Sequence, residues 1–472
     1  MRDIAKDDIL GRMRRDNPWW VGRAQALSEN SLPKRDFYAA FYHLVSQKNV
    51  KRAVVLMGPR RVGKTVMSVQ SILELLRSGV RPNRIFFASL DTPLMVGQDL
   101  EKLLRLYLDN FGEEEKGGYV YFDEIQYLKN WEVHLKSLVD SYPNIKFIVT
   151  GSAAAVLKRG SMESGAGRFT DFILPPLTFR EYLRFVNLSP DMPITELNSA
   201  FMDYLAYGGY PEIVLNKQLR DNPDRYLFND IIDKVLLRDL PGLYGISDIQ
   251  EMYRLFSVLV YNTGQEVSLE KLASLSEISK VTIRKYITYF EGAFLLRRLD
   301  RVDINAKNFK RARTFKIHII NPSMYSALFG PPEPDDENIG PLIESAFISQ
   351  YTQFMSSRHF RYARWRDGEV DFVWINPKTQ KPINAVEVKW SDRVKTKIGE
   401  TANLVKFADE NNLQDNQIWL TTRTYEALLH YRRRELMCLP TARACAVFSE
   451  TFADAMSNRF PRPENEQPEL PL

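Results

Sequence analysis

Cysteine is nearly absent from this chain: Cys438 and Cys445 are the two present among 472 residues. That count excludes a disulfide framework and a cysteine-built zinc centre, and the five histidines are too scattered for a histidine-rich metal site. Long apolar runs are missing as well. No uninterrupted stretch is long enough to span a bilayer. The opening MRDIAKDDILGRMRRDNPWW is charged where a secretion signal would be apolar. We therefore expect a cytoplasmic protein with reduced thiols and no membrane partner. A strong charge of one sign is also lacking. The net charge of +5 permits a nucleic-acid partner without demanding one, so where the basic residues cluster matters more than their number. No internal repeat is visible.

What is there has the hydrophobic and charged content of a soluble globular chain, long enough for about three domains. It is organised around Gly58, Pro59, Arg60, Arg61, Val62, Gly63, Lys64 and Thr65, which read G-x-x-x-x-G-K-T, the phosphate-binding loop called Walker A. Residues 53–57 read as a buried strand leading in. Residues 66–77 read as a helix leading out, stopped at Gly79. The glycines let backbone N–H groups surround phosphates, and the helix N-terminus favours their charge. Lys64 would reach the outer phosphates, and the Thr65 hydroxyl would bind Mg²⁺. ATP and Mg²⁺ are the cofactors this implies.

A second strand, 84–90, and a helix, 97–111, precede another apolar run, 119–122, that ends in Asp123 and Glu124. This is a Walker B pattern. Asp123 would hold the Mg²⁺ shell, and Glu124 would polarise the attacking water. The strand 146–150 runs into Gly151 and Ser152. Ser152, with Thr150 second, stands where a sensor of the terminal phosphate belongs, and a strand-ending turn is the equal alternative. Arg168, in a basic loop, would complete the nucleotide site from the same chain or from a neighbouring copy, so a homo-oligomer is an open alternative.

We expect helices over 1–50, with Trp19 and Trp20 serving packing, then the ATPase core over 51–177 and a helical lid over 178–260. Residues 261–325 read as a winged helix. Ser268 caps one short helix, and Ser279 caps a second with Ile283, Tyr286, Ile287 and Phe290 on one face. Lys280, Arg284 and Lys285 fall outside that face. Lys307, Lys310, Arg311 and Arg313 lie between two strands, 294–302 and 314–320. A basic helix and a basic wing can hold DNA, although winged helices also pack internally. The Pro-rich 326–340 reads as a linker.

Beyond it, Glu344 begins a helix, and strands follow at 361–365, 369–374 and 385–390. Glu387 and Lys389 leave one face of a strand, and Asp371 on the neighbouring strand can meet them. Two carboxylates can hold Mg²⁺ at a scissile phosphate, Lys389 can position water, and Glu344 can serve as an outer ligand. The order E…D…E-x-K is that of the PD-(D/E)XK nuclease site; solvated strand charges and a fold that no longer cuts are the alternatives. We expect this domain over 341–458, continuing as helix 400–410, strand 417–421, helix 424–436 and strand 443–448. A disordered tail is expected over 459–472.

The motif order over roughly residues 30–450 resembles the prokaryotic AAA-family ATPases that carry a C-terminal restriction-endonuclease-like domain of unknown function. The resemblance implies an α/β multidomain fold: an AAA-type P-loop parallel-sheet core, a helical lid, a winged helix and a C-terminal α/β nuclease-like domain. It implies an ATP site at Lys64, Thr65, Asp123 and Glu124, and a nuclease-like site at Asp371, Glu387 and Lys389. The family's leading Pro-Asp is Val370-Asp371 here. The function expected is ATP hydrolysis controlling a Mg²⁺-dependent nuclease-like domain that acts on DNA, in defence against foreign DNA. A DNA- or protein-binding switch with a silent C-terminal domain, and a ring-forming remodelling ATPase, are the alternatives.

Overall fold

The computed structural model describes residues 6–447, apart from 114–115, 153–166, 308–312 and 352–359. The chain divides into two compact units, whose described parts are 6–174 and 175–447. None of the described helices is long and apolar enough to cross a membrane.

The first unit is built on five strands: β1 (Ala53–Met57), β2 (Ile85–Ser89), β3 (Gly118–Asp123), β4 (Ile145–Gly151) and β5 (Phe169–Ile173). They form a parallel sheet in the order β2-β3-β4-β1-β5. Helices cover both faces of such a sheet, so its central strands read as continuous apolar runs rather than alternating ones. Every residue of β1, β3 and β4 is buried. Phe86, Phe122, Trp131, Leu135 and Phe147 belong to one core cluster. The register pairs Leu56 with Thr150 and Phe122 with Val149. The carboxyl ends of β1, β3 and β4 therefore finish side by side, where parallel α/β sheets bind ligands.

β2 is an edge strand, and an edge strand leaves unpaired backbone groups. The N-terminal segment covers it. Both indoles of Trp19 and Trp20 donate to the Ile85 carbonyl, at 3.1 and 2.9 Å. The Asn17 side chain accepts from Phe87 N at 2.7 Å and donates to Phe87 O at 2.8 Å, as a ladder partner would.

The second unit begins with helices, among them Phe179–Phe185, Ile194–Tyr207 and Ile249–Tyr261, with Leu227–Asp239 wound as a π-helix. Helices Leu269–Ser276 and Lys280–Gly292 follow. Ser268 accepts from Lys271 N and Ser279 from Thr282 N, so both caps stand where expected. The strands of this unit are β6 (Glu266–Ser268), β7 (Leu296–Val302), β8 (Thr314–Ile319), β9 (Phe360–Trp365), β10 (Gly368–Ile375), β11 (Pro382–Glu387), β12 (Ile418–Thr422), β13 (Ala427–Tyr431) and β14 (Arg434–Pro440).

All nine lie in one sheet, in the order β13-β14-β12-β11-β10-β9-β7-β8-β6. β7 pairs in parallel with β9, from Asp300–Arg361 to Val302–Ala363. The sheet thus runs unbroken across the segment expected to be a linker. A buried polar network ties the same parts together. The Thr263 and Ser345 hydroxyls are 2.8 Å apart, Ile319 N donates to Thr263 Oγ1, and His318 Nδ1 lies 3.0 Å from Ser345 Oγ.

Two expected elements are corrected. Residues 424–436 do not form a helix; they form most of the β13–β14 hairpin, closed by Tyr431–Arg434 pairing. Leu429, Leu436 and Cys438 are buried while Leu428 and Met437 are exposed, which is a period of two. The turn carries Arg432 at φ +56 without the Asn-Gly or Asp-Gly that marks such turns in a sequence. Residues 443–447 are not a strand either, because 441–447 are helical and Ala442, Ala444, Cys445 and Ala446 are buried.

Residues 341–447 alone would leave β9 an open edge and deprive Tyr362 and Phe372 of their neighbours Lys316 and His318. That fragment is expected to bind a hydrophobic dye and melt without a cooperative transition. Residues 175–452 should give a single calorimetric transition, and two independent transitions there would contradict the single-sheet account.

Candidate functional site

The nucleotide motifs meet at the carboxyl ends of β1 and β3. The turn after β1 passes so close to Leu174 that a Cβ on Gly58 would lie 2.1 Å from the Leu174 carbonyl oxygen. Gly63, at φ +94, caps the helix Lys64–Arg77 in a left-handed conformation that glycine adopts without strain. Lys64 is buried, and its Nζ donates to the carbonyls of Gly58 and Pro59 at 3.1 and 2.7 Å. A cation is thereby held over the loop at the helix N-terminus. Arg35, which sequence reading passed over, lies beneath the loop. It is buried and donates from Nη1 to Val62 O at 2.8 Å.

Thr65 Oγ1 donates to Asp123 Oδ2 at 2.9 Å, joining the two motifs. Thr150 Oγ1 also donates to Asp123, and Glu124 N donates to Thr150 Oγ1 at 3.1 Å. Glu124 itself sits at φ +56, unusual for a side chain of its size, where the chain turns sharply off β3. Gln126 Nε2 donates to its carboxylate, and Gln126 Oε1 accepts from Ser152 N at 3.2 Å. Ser152 Oγ is buried with no hydrogen-bond partner among the described residues.

Burial, and then the neighbouring Glu124 charge, push the Asp123 carboxyl up to about 6, against the opposing pull of the Thr150 and Thr65 hydrogen bonds and of Lys64. The Thr65 hydroxyl and the Asp123 carboxylate, short of positive charge, stand together as oxygen donors that fit Mg²⁺ bound with phosphates. Arg168 is not brought to this set within the chain. It precedes β5, its carbonyl accepts from Ala53 N at the opposite end of β1, and its Nε pairs with Asp140 at 2.6 Å. One strand length, about 13 Å, separates the two ends.

The second unit brings Asp371, Glu387 and Lys389 together. The pairing of Phe372 with Val386 sets Asp371 beside Glu387. Lys389 Nζ lies 2.5 Å from Glu387 Oε1, and Asp371 Oδ2 accepts from Val388 N at 2.9 Å. Thr421 and Thr441 hold the Lys389 backbone: Lys389 N donates to Thr421 Oγ1 at 3.2 Å, and Thr441 Oγ1 donates to Lys389 O at 3.1 Å.

Two members, Lys316 and Glu369, were not anticipated. Lys316 of β8 is buried, with Nζ 2.7 Å from Glu369 Oε1, 3.2 Å from Glu344 Oε2 and 3.6 Å from Asp371 Oδ1. No local signal marked it: Phe-Lys-Ile-His-Ile alternates apolar and polar residues, which reads as a half-buried strand with Lys316 and His318 on the solvent face. Burial, then the Asp371 charge, push both Glu344 and Glu387 up to about 8. Burial also opposes the Lys316 ammonium, but Glu344, Asp371 and Glu369 outweigh it and hold its pKa well above the ordinary value. Burial likewise opposes Lys389, and Glu387 and Asp371 raise it.

Among the described residues, no group of three His, Cys, Asp or Glu side chains is placed to hold a metal ion. Glu344, expected as an outer ligand, instead pairs with Lys316. Glu344 is thus committed to Lys316, while Asp371 and Glu387 stand side by side. Glu387 Oε2 remains buried without a hydrogen-bond partner among the described residues.

Of the residues expected to meet DNA, Lys280, Arg284, Lys285 and Lys307 are exposed. Lys280 pairs with Glu270 at 2.9 Å, and Lys285 Nζ lies 5.9 Å from the centre of the Tyr289 ring. Lys310 and Arg311 lie outside the described residues.

Comparison with known proteins bears on the domain that carries the first site. Residues 50–183 match the AAA_14 family model, an AAA domain, and 198–335 match DUF8612, a domain of unknown function. The chain carries an AAA-type domain. It is 26% identical over 339 residues to the uncharacterized protein MJ1544 of Methanocaldococcus jannaschii, covering 68% of this chain and 71% of that one. It is 24% identical over 415 residues to MJ1637 of the same organism, also uncharacterized, covering 81% and 86%. Among solved structures it is similar to Cdc6p from Pyrobaculum aerophilum, with 12% identity, a TM-score of 0.30 and coverage of 63% of this chain and 92% of that one.

Asp123 carries a testable consequence. A carboxyl whose pKa rises from 3.8 to about 6 on folding costs stability increasingly between those pH values, and fully above them. Asp123→Asn is expected to stabilise the nucleotide-free protein by about 3 kcal/mol at neutral pH. The gain should largely vanish near pH ~4. Urea denaturation at both pH values measures it, and an equal effect at both would show that the charge is not the cause.

Proposed function

We propose that this protein binds and hydrolyses ATP with Mg²⁺, and that its nucleotide state controls a nuclease-like C-terminal domain acting on DNA, in defence against foreign DNA. The observation that carries the nucleotide part is the 2.9 Å bond from Thr65 to Asp123, which joins two motifs 58 residues apart at the helix N-terminus beside buried Lys64. Lys64 and the loop N–H groups of Gly58, Arg60, Arg61, Val62 and Gly63, with Pro59 shaping the turn, hold the phosphates. Thr65 and Asp123 hold the metal. The bound Mg²⁺ supplies charge neutralisation at the phosphates. Glu124 accepts the proton of the attacking water, its carboxylate aimed by the turn at φ +56 and by Gln126. Ser152 contacts the terminal phosphate through its hydroxyl, which has no partner among the described residues. Arg168, remote from the loop within its own chain, acts on the site of a second copy, which makes a homo-oligomer part of this reading.

In the C-terminal part, the pairing of Asp371, Glu387 and Lys389 supports the nuclease-like reading, with DNA held by Lys280, Arg284, Lys285 and Lys307 and by Lys310 and Arg311. A second reading, an ATP-dependent DNA- or protein-binding switch with a catalytically silent domain, is favoured by Lys316, whose ammonium already occupies the carboxylate face.

Lys64→Ala is expected to abolish ATP binding in calorimetry, and wild-type affinity in that variant would overturn the nucleotide site. Glu124→Gln should keep ATP binding and slow hydrolysis by about 100-fold or more. Cleavage of single- and double-stranded DNA and RNA, with Mg²⁺ or Mn²⁺ and with or without ATP, separates the two C-terminal readings. Cleavage lost in Asp371→Ala supports the first. No cleavage by the wild type under any of these conditions supports the second.

A further inference from the structure

The C-terminal cluster already contains a cation where a metal-dependent site would need one. Lys316 reaches it from β8, across the sheet from the residues that carry the PD-(D/E)XK pattern. Its Nζ contacts Glu369, Glu344 and Asp371 at 2.7, 3.2 and 3.6 Å, so one ammonium serves three carboxylates from a helix and a strand. A divalent ion would need the same oxygens at about 2.0–2.6 Å. The two cations would then stand within a few ångströms of each other in a buried site, where like charges repel strongly.

Lys316 is also anchored. Its backbone pairs with Leu299 of β7 on one side and Glu266 of β6 on the other. Its ammonium lies 5.6 Å from the centre of the Tyr362 ring. Two residues along β8, and so on the same face, His318 is fixed to Ser345, the neighbour of Glu344. A rotation of the lysine alone would leave Glu344, Glu369 and Asp371 with no shared cation.

We propose that Lys316 is the resident cation of the Glu344–Glu369–Asp371 face, and that this face takes no divalent metal while Lys316 occupies it. The strand β8, in the region expected to be a winged helix, is thereby part of the C-terminal site. The inference bears on the first C-terminal reading, because metal-dependent cleavage at Asp371 would need Lys316 to leave this face.

The test is a Mn²⁺ titration of the full chain without nucleotide or DNA, read by electron paramagnetic resonance. Wild type and Asp371→Asn should bind Mn²⁺ identically, any weak site being removed by Asp123→Asn. Lys316→Met should gain a Mn²⁺ site about tenfold or more tighter than anything in the wild type. That site should disappear in Lys316→Met with Asp371→Asn, and Mn²⁺ should raise the melting temperature of Lys316→Met and leave that of the wild type unchanged. A wild-type Mn²⁺ site that Asp371→Asn removes overturns the proposal, as does a folded Lys316→Met protein that gains none. If Lys316→Met does not fold, the comparison of wild type with Asp371→Asn still decides, and Lys316→Arg, which keeps the charge, is expected to fold and to bind no Mn²⁺ on this face.

Discussion

Buried negative charge must be matched by something, and both units are arranged around that requirement. In the first unit Asp123 is buried among Thr65, Thr150 and, further off, Lys64, and the match is incomplete, so its carboxyl holds a proton more readily than usual. In the second unit four carboxylates, Glu344, Glu369, Asp371 and Glu387, gather around two ammoniums, Lys316 and Lys389. An uncompensated buried charge costs several kcal/mol. Such groups are tolerated where a ligand or a protonation change completes the balance, which is why incomplete balance marks functional sites.

The two units meet this requirement in different ways. The Asp123 set is open-ended: hydroxyls face a carboxylate, Ser152 Oγ has no partner among the described residues, and the missing charge fits one that arrives with a nucleotide. The Glu344–Glu369–Asp371 face is closed from within by Lys316. The E…D…E-x-K pattern alone cannot distinguish an open site from a closed one, because the lysine that decides the matter lies outside the pattern.

The unbroken nine-stranded sheet follows from the same economy of unpaired groups. β7 has two edges; β8 covers one and β9 the other. Without that pairing, both β7 and β9 would present open backbone to solvent. The Pro-rich stretch near residues 330–340 looks like a domain boundary because its composition is that of an exposed connection. Exposure, however, does not require the segments on either side to be independent.

Much was legible in the order of residues, wherever the chemistry is local. The loop Gly58–Thr65 needs its glycines at fixed offsets, β3 needs an apolar run before Asp123 and Glu124, and Ser268 and Ser279 cap the helices that directly follow them. Glu387 and Lys389 could be paired because two residues along an extended chain share a face. Tertiary structure alone decided what depends on distant partners. It alone placed Arg168 at the wrong end of β1 to serve its own nucleotide loop, Arg35 under Val62, and Lys316 among carboxylates from elements that follow it in the chain. It also settled residues 424–436 as a hairpin, because a short apolar run fits either period until its neighbours exist to bury one face. Side-chain type and spacing determine what a segment can do, and only packing determines which distant charge it meets.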